Sequence, residues 1–267
     1  MTTRGLRIGL ILAALAAPWI AAPAARAGEP ACDPSAGQRV EKVVAASAAA
    51  RRLERALEAS GAEIAIIARV GSDLRRHGIV WTHAGIVWRD DPAARWQVTH
   101  LLNDCAGRYS RLYRQGLVNF FLDDPLVYDA LVLVPGPATR TALAARLRSG
   151  VALTLHQPLY SAMSYPFATS YQNSNQFVLE NLALAQIGDI GGGREAAIAR
   201  LRATGYAPHV VRLTGFERIG AGMKANVRFD DHPRDADQAN RYSVVTVASV
   251  EAWLAATRDL ARRAEVR

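Results

Sequence analysis

Three stretches of the chain carry side chains able to do acid–base or nucleophilic chemistry. The first is Thr82-His83-Ala84-Gly85-Ile86, an imidazole inside an apolar, β-rich run. The small residues after it let another backbone or a substrate come close; a core histidine satisfied by a neighbour is the plainer alternative. The second is His100, within the run at 96–102. Arg89-Asp90-Asp91-Pro92 separates the two runs and is a turn signal, so they read as hairpin partners, in which opposed residues share a face. A turn over residues 89–95 sets His100 or Leu101 opposite His83, according to register. A one-residue slip reverses the face, so Gln97 and Asn103 stay open as the polar group that orients the His83 ring and fixes its tautomer. The third stretch is Tyr171-Gln172-Asn173-Ser174-Asn175-Gln176-Phe177, where polar residues crowd the start of an amphipathic helix. A Ser174 nucleophile there gains from the positive helix end and from free N–H groups that can hold an oxyanion. Tyr171, Asn173 and Asn175 are the flanking candidates for binding. Asn173 with Gln176 three residues later also fits a capping arrangement, which would put Ser174 in the first turn for local reasons only.

These residues need a scaffold, and apolar periodicity supplies one. Residues 39–60 are Ala-rich with Val and Leu near helical spacing, and Gly61 stops them. Strands are predicted at 63–70, 79–88, 96–102 and 128–134, with further strands at 225–229 and 242–247. Helices are predicted at 138–149, 173–187 and 194–204, and from 249 to the end. Residues 112–121 are ambiguous, and 151–172, rich in Tyr, Ser and Pro, read as irregular. Helices and strands mix without strict alternation, which predicts an α+β fold rather than a doubly wound sheet.

The N-terminus sets the compartment. Arg4 and Arg7 precede an uncharged stretch from residue 8 to about 25, and Ala25-Arg26-Ala27 fits a small-x-small cleavage site. This is the pattern of an export signal. Pro18 and Pro23 interrupt the run, and its length is marginal for a membrane span of ~20 residues. Cleavage after Ala27 would leave one globular domain over 28–267, periplasmic or secreted, with no later transmembrane span. It would remove three arginines and no acid, lowering the formal charge from +8 to +5. The remaining arginines are scattered and form no aromatic-basic motif, which argues against nucleic acid. Cys32 and Cys105 are the only cysteines, and an even pair in an oxidising compartment reads as a disulfide; a free catalytic thiol at Cys105 is the rival. Asp123-Asp124-Pro125 and Asp230-Asp231-His232 contain metal-ligand residue types, but turns beside proline favour Asp anyway, and no metal is expected. Gly191-Gly192-Gly193 lacks the Lys-Ser/Thr sequel of a phosphate loop, and no cofactor is expected.

The stretches HAGIVWRD, LYRQGLVNFFLDDP and YPFATSYQNSNQFVLENL resemble domain-of-unknown-function family 2145, a group of exported proteobacterial proteins, over most of the mature chain. More distantly, His83-Ala-Gly-Ile-Val and the later Asn173-x-Asn175-x-Phe177-Val resemble the circularly permuted branch of the NlpC/P60 papain-like superfamily. That second resemblance implies an antiparallel sheet packed with helices. It also implies an amide or ester hydrolase, or an acyltransferase, in which His83 is the general base and His100 its orienting partner. The family's cysteine position falls on Ser174. A hydroxyl is far harder to ionise than a thiol, so it needs a well-aligned base and oxyanion donors. The same alignment therefore fits a serine-dependent enzyme acting on envelope small molecules, peptides or lipids. It equally fits a binding or assembly module that kept the groove and lost the chemistry.

Overall fold

The computed structural model describes residues 39–91, 93–104, 107–122 and 125–267. The proposed signal peptide, Cys32, Cys105, and Asp123 with Asp124 lie outside the described residues. Among the described residues, the chain runs α1 (Val40–Glu58), β1 (Ile64–Val70), β2 (His83–Trp88), β3 (Gln97–Asn103), β4 (Ser110–Gly116), α2 (Leu117–Leu122), β5 (Val127–Pro135), α3 (Pro137–Arg148), α4 (Ser174–Gln186) and α5 (Arg194–Ala203). It ends with β6 (His209–Arg212), α6 (Gly215–Gly222), α7 (Arg234–Gln238), β7 (Arg241–Val244), α8 (Val247–Ala256) and β8 (Leu260–Val266). The fold is α+β. An open sheet in the order β4-β3-β2-β1-β5-β8 has antiparallel neighbours throughout, and β6 and β7 form a separate ribbon.

The sheet is covered on both faces, which explains why β1 (IAIIARV) is buried at every position. Ile64, Ile66 and Ala68 point one way, into a core with Ala84, Ile86 and Trp88 of β2, Leu131 and Leu133 of β5, and Phe177, Val178 and Leu182 of α4. Ala65 and Ile67 point the other way, toward Val87, Val98, Leu53 and Leu57 of α1, and Phe120 and Phe121 of α2. The strand period of two thus divides the molecule into an α4 face and an α1/α2 face. No helix of the described residues is long and apolar enough to cross a membrane.

Several elements depart from the sequence reading. Residues 112–121 divide into the end of β4 and the short helix α2. Residues 225–229 are not a strand, whereas 209–212 are, paired with β7. The helix expected from 249 to the terminus stops at Ala256. The chain turns through Arg258, whose φ of 58° is left-handed, and continues as edge strand β8 against β5. Leu260-Ala-Arg-Arg-Ala-Glu-Val266 holds good helix formers, but pairing with the exposed edge of β5 outweighs their modest intrinsic preference.

Candidate functional site

The β2–β3 hairpin sets its two histidines diagonally on one face: its register puts Gly85, not His83, across from His100, so neither His100 nor Leu101 lies opposite His83. Its register pairs Ile86 with Thr99 and Trp88 with Gln97, so Val98 and His100 share the α1/α2 face. His83 Nε2 lies 2.9 Å from His100 Nδ1, and His100 Nε2 lies 3.1 Å from Gln115 Oε1 on β4. The amide oxygen can only accept, so His100 carries its proton on Nε2 and accepts at Nδ1. His83 must then donate from Nε2, which leaves its Nδ1 a bare acceptor. Among the described residues nothing hydrogen-bonds that atom.

The pair sits on Phe120, with ring centroids 5.8 Å from His83 and 5.6 Å from His100. The Arg69 guanidinium lies over the same ring at 5.4 Å, and Arg69 pairs with His83 across β1 and β2. His100 is fully buried and His83 nearly so. Burial holds His83 well below the usual imidazole range, and the neighbouring Arg69 and His100 push the same way. His83 is therefore held neutral: its Nδ1 can accept a hydrogen bond, but the ring resists taking up a proton.

Gly85 makes the hairpin possible. A β-carbon there would stand 2.7 Å from Val98 Cγ1 and 3.0 Å from His100 Cβ. The glycine two residues after His83 is thus the space into which β3 brings its histidine.

Ser174 opens α4, and Asn173 caps the helix by accepting the Gln176 N–H at 2.8 Å. Asn175 donates to the Val245 carbonyl at 3.3 Å and to the Thr82 carbonyl at 3.5 Å. The second bond ties the start of α4 to the residue before His83. The apolar side of α4, however, packs on the face that carries Ala84, Ile86 and Trp88, whereas His83 and His100 pack against Phe120 on the other. Ser174 and His83 reach the same strand end from opposite faces and share no hydrogen bond. Among the described residues the Ser174 hydroxyl has no hydrogen-bond partner. Gln97 is paired with Trp88 at the far end of the hairpin, so it does not meet His83. Tyr171 points elsewhere again, its hydroxyl donating to Asp230 at 3.0 Å.

Two features go beyond the sequence reading, which names Asp230-Asp231-His232 only as metal-ligand residue types. One is Gln115, whose strand was ambiguous and whose partner, His100, gave the only available signal. The other is an open cleft of about 550 Å³ in the C-terminal lobe, lined by Arg218, Arg228, Phe229, Asp230, His232 and Arg234 among others. Asp231 accepts the Tyr165 N–H at 2.8 Å, and His232, at the cleft wall, bonds the Met163 carbonyl at 2.7 Å.

The fold and site define a mixed α+β protein built on an antiparallel sheet, with a buried histidine pair in its central hairpin. Residues 56–254 match the family described as an uncharacterized protein conserved in bacteria (DUF2145), and the chain belongs to that family. Neither a curated protein nor a solved structure matches the chain.

Proposed function

We propose that this chain works outside the cytoplasm as a binding or assembly module of the cell envelope, on a papain-like sheet whose acyl-transfer chemistry has lapsed. The observation that carries the reading is the sheet itself, standing between the histidine pair and the helix that begins with Ser174. A serine nucleophile needs its base within hydrogen-bond reach, and His83 instead spends its N–H on His100. Replacement of the superfamily's cysteine by Ser174 supports the same conclusion. The export-signal pattern over residues 1–27 supports the compartment, and Cys32 with Cys105 would form a disulfide there. The ligand would be an envelope small molecule, peptide or lipid.

The opposing reading is an amide or ester hydrolase or acyltransferase that uses Ser174 and His83. One observation favours it: the Ser174 hydroxyl stands at the opening turn of α4 with no hydrogen bond to any described residue. A fluorophosphonate probe separates the two. The binding-module reading expects no labelling of the exported protein that disappears in Ser174→Ala. Labelling lost in both Ser174→Ala and His83→Ala would establish the enzyme and end the binding-module reading.

A further inference from the structure

Helix α6 is held to the protein by the wrong side for an ordinary amphipathic helix. Its start is fixed by a capping box, in which Thr214 accepts the Glu217 N–H while the Glu217 carboxylate accepts the Thr214 N–H. Its inner flank is fixed by Arg218, which bonds Asp237 at 3.0 Å and the Tyr242 hydroxyl at 2.7 Å and stacks over Phe229 at 4.2 Å. The large apolar side chains face out. Phe216 is 91% exposed, Ile219 64% and Met223, the C-cap, 79%. Their spacing of three and four residues puts them on one side of the helix. An apolar stripe on a capped, anchored helix marks an interaction surface.

Charge selects the occupant. Exposed Arg212 precedes the helix and exposed Lys224 follows it. Arg76, itself largely exposed, reaches Glu217 at 3.4 Å and offsets the one acid on α6. An apolar stripe flanked at both ends by cations is the pattern of a helix lying in the interface of an anionic bilayer. We infer that α6 docks this protein on an anionic phospholipid surface, inserting Phe216, Ile219 and Met223 while Arg76, Arg212 and Lys224 meet the headgroups.

The test is co-sedimentation of the full chain with phosphatidylglycerol-rich and with pure phosphatidylcholine vesicles, paired with amide hydrogen exchange over residues 214–224. Expected are stronger binding to the anionic vesicles and slowed exchange in α6 on binding. Phe216→Ser with Ile219→Ser and Met223→Ser should weaken binding at least about tenfold. Arg212→Glu with Lys224→Glu should abolish the preference for phosphatidylglycerol. Equal binding by wild type and the triple variant, with α6 exchange unchanged, would overturn the inference by moving any attachment to another segment, such as the apolar residues 8–25. A concentration-dependent dimer in sedimentation velocity that the triple variant disperses would also overturn it, assigning the stripe to a second copy of the chain.

Discussion

Two buried polar networks lie on opposite faces of one sheet, and they are built on different plans. On the α4 side, Glu180 is fully buried and receives both ends of a guanidinium fork from Arg194, at 2.8 and 2.9 Å. Arg194 also donates to the carbonyls of Ala168, Thr169 and Tyr171. Gln172 donates to Glu180 and to the Leu155 carbonyl while accepting the Gln157 N–H. Gln176 donates to the carbonyls of Tyr165 and Ala168 and accepts from Ser164. These bonds pin the irregular segment over 156–172 to the first half of α4. On the α1/α2 side, hydrogen bonds run from Gln115 through His100 to His83 and end at an Nδ1 that no described residue hydrogen-bonds. A network closed on backbone carbonyls is committed to structure. A network with a bare end has capacity left for something the chain itself does not supply.

The largest break in this contrast should come from the closed network. Burial holds the Glu180 carboxyl above the usual carboxylate range, and Arg194, Gln172 and Gln176 offset only part of that rise. Arg194→Ala strands that carboxyl and takes one donor from each of three carbonyls, of which those of Ala168 and Thr169 keep a second donor in Gln176 and Gln157. Removing one partner of a buried pair costs about 3–5 kcal/mol, so urea unfolding should show a loss of that size. The 156–172 segment should then become open to proteases. A loss below about 1 kcal/mol would mean that water reaches Glu180 and that the segment is held by other means.

A smaller effect is expected from Gly85→Ala. The added methyl meets Val98 and the base of His100 at overlapping distances, and overpacking of this kind costs about 1–3 kcal/mol. Because β3 would have to move, the His83–His100 hydrogen bond should lengthen, which the imidazole nitrogen resonances would report. A neutral substitution with unchanged resonances would show that the hairpin has slack and that the glycine is incidental.

The open network was the more legible of the two, and the reason is local. Two apolar runs flanking an Asp-Asp-Pro turn can hardly avoid pairing, so the nearness of His83 and His100 follows from chain connectivity. The helix at 173–187 was equally readable, from its cap and its apolar periodicity. The face on which that helix packs was not, because period-two alternation says which strand residues share a side but not which helix covers it. The Glu180–Arg194 pair escaped for a related reason: the partners are 14 residues apart, on two helices whose packing no local pattern encodes. Strand β8 escaped because an edge strand rich in Ala, Arg and Glu carries no β signature of its own. The 209–244 lobe escaped because its short elements are defined by contacts with one another.

The smallest expected effect sharpens the contrast through pH. His83 has its pKa held well below the usual value of ~6.5, first by burial and then by Arg69 and His100. His156, beside Ser110 on the α4 side, is also lowered by burial, but it is only half buried. For such a group the unfolded chain takes up a proton that the folded chain refuses. The stabilisation is therefore complete above ~6.5 and is lost as pH falls below it, with a slope of at most ~1.4 kcal/mol per pH unit for each proton. Urea titrations between pH 8 and 5 should show stability falling with acid in the wild type. The slope should flatten more in His83→Gln than in His156→Gln, because the more deeply buried imidazole resists its proton harder. If His83→Gln keeps the wild-type slope, the folded protein must already protonate His83 with ease. Water at its Nδ1 would then stabilise the charged ring.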